Sequence, residues 1–148
     1  MLERYQALFD ALSSRVFHVS KRVGDGARTK LVNNLLAGIN LVGAAEALAL
    51  AERLGLDAER TLQVMAASSA QSWIASDRMP RALAGDFAPR AHMTLLEKDT
   101  ALAVQAAESA GFTGPLGPLA AQVFARASAA GLAEWDDAAV LTYLRGRS

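Results

Sequence analysis

A chain of 148 residues is long enough for one hydrophobic core and too short for two ordinary domains. Its 15 basic and 15 acidic residues balance and are scattered, so it carries no electrostatic footprint for nucleic acid or an anionic membrane surface. The lack of cysteine excludes a disulfide framework, a thiolate nucleophile and a cysteine-based metal site. It also fits a reducing compartment, and the mixed residues after Met1 do not read as a secretory leader, so a cytoplasmic location is expected. Alanine is abundant while Val, Ile, Tyr and Phe are sparse, which favours helix over sheet and sets the expected class as all-α.

The chain opens with apolar residues at Leu2, Tyr5, Leu8, Phe9 and Leu12, a spacing that predicts an amphipathic helix over residues 2–13. Arg15 to Ser20 is β-branched and aromatic and reads as one strand with no partner downstream. An orphan strand suggests that residues 1–23 are the end of a preceding α/β domain, with a helical domain over 24–148. After the Gly24-Asp25-Gly26 turn, a long helix is predicted from Ala27 to Leu54. Its apolar stretch, Leu35 to Ala51, is interrupted by Asn40 and Glu46, so it reads as a buried helix rather than a membrane span. Being apolar or small on nearly every face, it calls for burial all round, inside a bundle or against a second subunit.

Gly55 ends that helix and Asp57 caps the next, Ala58 to Ala67. A serine-rich loop leads to a helix from Trp73 to Leu83, broken near Met79-Pro80. A second loop, Gly85 to Pro89, precedes a helix from Leu95 to Ala110 opened by a Thr94-x-x-Glu97 capping box. Further helices are expected over Leu119–Ala130 and from Asp136 to Leu144. The architecture expected is a helical bundle around one long buried helix.

The sharpest chemical feature is Gly26-x-x-x-Lys30-x-x-Asn33-Asn34. Lys30 and Asn34, four apart, share one helix face, with Asn33 alongside. A lysine at the mouth of so apolar a helix is expected to be partly desolvated and able to exchange protons, and a neighbouring carboxamide can orient a hydroxyl or the lysine itself. Spacing alone leaves a second reading open, in which polar residues simply collect at a helix start and Lys30 reaches solvent. His18 and His92 lack carboxylates at ligand spacing, so no metal site is expected, and Asp136-Asp137 reads as a helix cap. Trp73 and Trp135 read as core or interface aromatics, and Ser68, Ser69 and Ser72 have no histidine partner for nucleophilic catalysis.

The run Gly24-Asp25-Gly26-Ala27-Arg28-Thr29-Lys30-Leu31-Val32-Asn33-Asn34, then Glu46-Ala47, then Leu54-Gly55-Leu56-Asp57, resembles the start of the C-terminal domain of the 3-hydroxyisobutyrate dehydrogenase (β-hydroxyacid dehydrogenase) family. A second block, Phe87 through Lys98-Asp99, resembles that family's Lys-Asp pair, and Asp136 to Val140 gives a weaker third match. The resemblance implies an all-α domain like that of the related 6-phosphogluconate dehydrogenases. It also implies NAD or NADP as cofactor, Lys30 as general acid/base, Asn34 and Asn33 on the substrate, and Lys98 on the cofactor. Lys98 in a first helical turn would oppose the macrodipole, which suits an anionic partner, although Glu97 and Asp99 can equally offset a solvated lysine.

Departures from the related families narrow the expectation. The 6-phosphogluconate dehydrogenases carry a histidine three residues after the lysine and a glutamate seven after it, where this chain has Asn33 and Ala37, so decarboxylating chemistry lacks its acid. Imine reductases of the same fold usually replace the lysine kept here. Gly24-x-Gly26 is not a dinucleotide loop, because Thr29 stands at the third glycine position and no second strand follows. The expected substrate is a small hydroxyacid or the matching semialdehyde, with catalysis requiring a dinucleotide-binding half that this chain lacks. A homodimer or higher oligomer is expected, with neither nucleic acid nor membrane as partner. The competing expectation is a catalytically inactive helical oligomerisation module.

Overall fold

The computed structural model describes residues 5–146, and among them the regular structure is helical, with no strand. In chain order the helices are α1 (Gln6–Leu12), α2 (Asp25–Arg53), α3 (Ala58–Ala66), α4 (Trp73–Leu83), α5 (Met93–Ser109), α6 (Leu116–Ala127) and α7 (Val140–Arg145). A π-helical turn, Ser128–Leu132, follows α6, and a short 3₁₀ turn, Asp137–Ala139, leads into α7. The chain divides into two units, residues up to Lys30 and residues from Leu31 onward.

In the first unit the expected strand over Arg15–Ser20 is absent. A strand needs a neighbour to satisfy its backbone groups, and this segment is irregular and exposed, with Phe17 81% accessible. The predicted opening helix is observed from Gln6, while positions 2–4 of that expectation lie outside the described residues. The long helix begins at Asp25, two residues earlier than predicted, because the Asp25 carboxylate collects local donors. It accepts from Ser20 Oγ at 2.7 Å, Arg22 Nε at 2.9 Å and Arg28 Nη1 at 3.1 Å, and the hydrogen bond from Ser20 leads in holding its pKa below the ordinary value.

In the second unit α2 is the central helix. By length and apolarity it could cross a bilayer, but Leu41, Ala45 and Leu48 are completely buried in a core shared with Leu62, Ile74, Met79, Met93, Phe124 and Leu141. Burial is not all round. Val32, Leu36, Leu50 and, just past the helix end, Leu54 remain 57–69% exposed, and they lie with Gly43 and Ala47 on one stripe of the helix. The helix length is about 43 Å at 1.5 Å per residue, too long for the short helices of this chain to wrap.

The corner after α2 forms as the sequence predicts. Gly55 takes φ +75°, the left-handed conformation of a helix stop, and Leu56 N–H donates to Ala51 O at 2.9 Å. Asp57 then accepts from Arg60 N–H at 2.8 Å as the N-cap of α3. At the far end, the Arg145 guanidinium of α7 grips the Glu52 carboxylate through both oxygens, with Nε to Oε2 at 2.8 Å, tying α7 to the end of α2.

Helix α4 is not broken at Pro80. The proline removes only the bond to Ser76 O, and Ala84 N–H donates to Pro80 O at 3.1 Å, so the ladder resumes at once. Buried Met79, Arg81 and Ala82 hold both sides of the interruption against the core. Helix α6 starts three residues before its predicted first residue. Pro118 falls in its first turn, where a missing N–H costs nothing.

Helices α2, α5 and α6 meet at Gly38. A Cβ there would stand 2.7 Å from Thr100 Cγ2 and 3.2 Å from the Phe124 ring. Thr100 and Phe124 are both fully buried, so neither can move aside freely. Gly38→Ala gains about 1 kcal/mol of helix propensity and incurs about 1–3 kcal/mol of overpacking. A lower urea midpoint is expected, and adding Thr100→Ser, which deletes the clashing methyl, should recover most of the loss.

Candidate active site

Lys30 sits in the second turn of α2 and is exposed. The expected desolvation is therefore not met in this chain, for a reason visible along the helix: the buried positions of α2 begin only at Gly38, about two turns further on.

The other residues expected at the site are drawn together by Asp99, whose only expected role was to pair with Lys98. Asn34 Nδ2 donates to Asp99 Oδ2 at 2.6 Å, and Asn33 Nδ2 donates to Asn34 Oδ1 at 3.2 Å. The Lys98 ammonium lies 3.5 Å from the other Asp99 oxygen, Oδ1, while 59% of its side chain stays accessible. Asn34 and Lys98 thus converge on a carboxylate that is itself only 1% exposed, and Asn33 reaches it only through Asn34. The signal for Asp99 was present in the sequence. Leu96, Asp99, Thr100 and Ala103 follow the i, i+3, i+4, i+7 spacing of a buried stripe, and a carboxylate in such a stripe must have partners. The arrangement offers a fixed carboxamide and a tethered, accessible cation, and the cation fits an anionic cofactor such as a nicotinamide dinucleotide.

The entrance of α5, which carries Lys98 and Asp99, is not built as predicted. The helix begins at Met93, with His92 at the cap position and no side-chain cap bond, so the Thr94-x-x-Glu97 capping box does not form. A short pairing with the segment before α7 replaces it: Met93 N–H donates to Trp135 O at 2.9 Å, and His92 and Asp136 form an antiparallel bridge. Lys98 consequently stands in the second turn, beyond the strongest reach of the dipole, so the helix dipole does not call for an anionic partner there.

Asp136 and Asp137 anchor that entrance. Asp136 caps the 3₁₀ turn through Ala138 N–H at 3.0 Å, as expected, and also accepts from Arg90 N–H at 2.8 Å and Ala91 N–H at 3.3 Å. Arg81 Nη2 lies 3.0 Å from its Oδ1. Burial works to raise the Asp136 carboxyl, but Arg81 and the three amides outweigh it and hold the group well below the usual carboxylate range. Asp137 accepts from Arg78 Nε at 2.7 Å. Burial pushes it up to about 6 despite that partner, and the adjacent Asp136 charge adds to the rise. The tryptophans are not core residues: Trp73 is 71% exposed beside the Arg78 guanidinium, and Trp135 stacks on Phe87 with centroids 5.3 Å apart. His92 is exposed, its Nδ1 3.2 Å from Glu134 O.

Comparison with known proteins agrees with this fold. Residues 24–144 match the family described as NAD-binding of NADP-dependent 3-hydroxyisobutyrate dehydrogenase, and the chain belongs to that family. An L-threonate dehydrogenase of Pectobacterium atrosepticum is 32% identical over 97% of this chain and 47% of its own length. The crystal structure of a 3-hydroxyisobutyrate dehydrogenase from Salmonella typhimurium superposes with a TM-score of 0.91 at 34% identity, covering 96% of this chain and 50% of that one. A Mycobacterium tuberculosis 3-hydroxyisobutyrate dehydrogenase, solved with L-serine, gives 0.89 at 30% identity over 98% and 52%. The chain spans about half the length of the curated relatives it matches.

The raised Asp137 carboxyl has a definite consequence for stability. Its folded pKa of about 6 lies above the ordinary 3.8, so the folded state binds the extra proton between those values and this group's contribution falls as pH rises through the window. Asp136, shifted the other way, contributes fully above about 3.8 and so does not cancel the trend. Comparing urea midpoints of the wild type and Asp137→Asn, the variant should gain on the wild type between pH 4 and pH 7, by at most about 1.4 kcal/mol per pH unit. A gap constant with pH would contradict the assignment.

Proposed function

We propose that this chain is the helical half of an NAD(P)-dependent oxidoreductase that acts on the CH–OH group of a small β-hydroxyacid, or reduces the matching semialdehyde. The observation that carries the reading is the convergence of Asn34 and Lys98 on the buried Asp99, with Asn33 bonded to Asn34. Those residues belong to the two sequence blocks that resemble the dehydrogenase family. The similar proteins are named for threonate and 3-hydroxyisobutyrate, both hydroxyl-bearing carboxylates, which supports the substrate class and favours an enzyme over an inactive oligomerisation module.

In the oxidative direction Lys30, as the free amine, takes the hydroxyl proton while the carbinol C–H electron pair departs and the C=O bond forms; in reduction the ammonium returns that proton. A bound nicotinamide supplies the acceptor or donor of the hydride. Asn34, supported by Asn33, holds the substrate, and the Lys98 ammonium, tethered by Asp99 yet accessible, contacts the cofactor. In the holoenzyme, Lys30→Ala should lower kcat by about two orders of magnitude or more, as loss of general acid/base catalysis does. Unchanged turnover would remove Lys30 from that role.

The exposed stripe of α2 supports a homodimer as the working state. Val32, Leu36, Leu50 and Leu54 offer a narrow apolar seam, and Gly43 and Ala47 between them allow close approach of a second helix. Sedimentation should show a dimer for the wild type and a monomer for the double variant Leu36→Glu, Leu50→Glu. A wild-type monomer at micromolar concentration would overturn this assignment.

A further inference from the structure

We propose that Asp99 is a positioning residue that dictates which way round the Asn34 carboxamide stands, so that the amide oxygen faces the site and Asn34 serves there as a hydrogen-bond acceptor. This rests on the reading of Asn34 as a substrate-side residue and goes further by giving that residue a polarity. An ionised carboxylate has no hydrogen to donate. One Asp99 oxygen faces the Lys98 ammonium at 3.5 Å, so the group pairs as an anion, and the other lies 2.6 Å from Asn34. Only the amide nitrogen can occupy that second position. The planar carboxamide then has its oxygen on the opposite side, where Asn33 Nδ2 meets it at 3.2 Å.

The arrangement is stiff as well as polar. Asp99 is 1% exposed within the buried stripe of α5, and its neighbour Thr100 is fixed by donating its hydroxyl to Leu96 O at 2.7 Å. Thr100 packs against α2 at Gly38, one turn beyond Asn34, so the backbones carrying donor and acceptor cannot drift apart. An asparagine at position 99 could donate as well as accept and would let the Asn34 amide stand either way. The aspartate removes that freedom. With its oxygen turned away from Asp99, Asn34 can accept from a substrate hydroxyl or ammonium as well as from Asn33.

Two measurements test this. In the isotopically labelled chain, nuclear Overhauser contacts are expected from the Asn34 Hδ2 protons to the Asp99 Hβ protons and should vanish or scatter in Asp99→Asn; wild-type Hδ2 protons without that contact would overturn the orientation, whether or not the variant folds. In the holoenzyme, Asp99→Asn should lower kcat/KM for 3-hydroxyisobutyrate about tenfold with Asn34 present and have almost no further effect in an Asn34→Ala background. Independent, multiplying losses would show that Asp99 does not act through Asn34. Neither result depends on Lys30: an inert Lys30→Ala would dismiss the acid/base reading and leave the amide orientation standing, and the reverse holds equally.

Discussion

The second unit depends on how closely three helices approach at Gly38. Without a side chain there, α2 settles against Thr100 of α5 and Phe124 of α6 at a distance no other residue permits. That contact sets the separation of α2 and α5 along their length. One turn earlier on α2, the same separation puts the Asn34 amide within 2.6 Å of Asp99. Core packing and the polar cluster are thus consequences of one backbone approach, and a change that pushes the helices apart at position 38 is felt at position 34.

The polar cluster is affordable because its charges are paired. A lone buried carboxylate is costly, and Asp99 is almost wholly removed from water. It survives by facing an ammonium with one oxygen and a carboxamide with the other. The same logic governs the corner before α7, where Asp136 is satisfied by three backbone amides and Arg81 while Asp137 relies on Arg78 and rises towards neutrality. Two adjacent aspartates behave oppositely because burial dominates at Asp137, while at Asp136 it is outweighed by Arg81 and three backbone donors. This corner also starts α5 by strand-like pairing, so the entrance of the helix bearing Lys98 and Asp99 is tied to residues some forty positions downstream.

Local rules served where the partners of a residue lie close in sequence. The helical class was legible from composition, and the Gly55–Asp57 corner and the Asp136 cap because each is decided by a left-handed glycine or a side chain reaching two or three residues along. They failed where distant segments supply the bonds. The capping box at Thr94 lost to an amide partner at Trp135, Pro80 did not stop a helix whose flanks were anchored in the core, and Arg15–Ser20 formed no strand without a neighbour.

By itself, the sequence determined an alanine-rich all-α chain built on one long helix, the order of its helices, and the residue types, Lys30, Asn33, Asn34 and Lys98, from which its chemistry is proposed. Periodicity and composition suffice for these because they act over a few residues. Only the tertiary structure decided that Asp99 is the hub joining Asn34 to Lys98, that α2 keeps an apolar stripe exposed, and that Lys30 is exposed. Each depends on which helix faces which, and that is settled by the summed packing of the whole unit rather than by any local stretch.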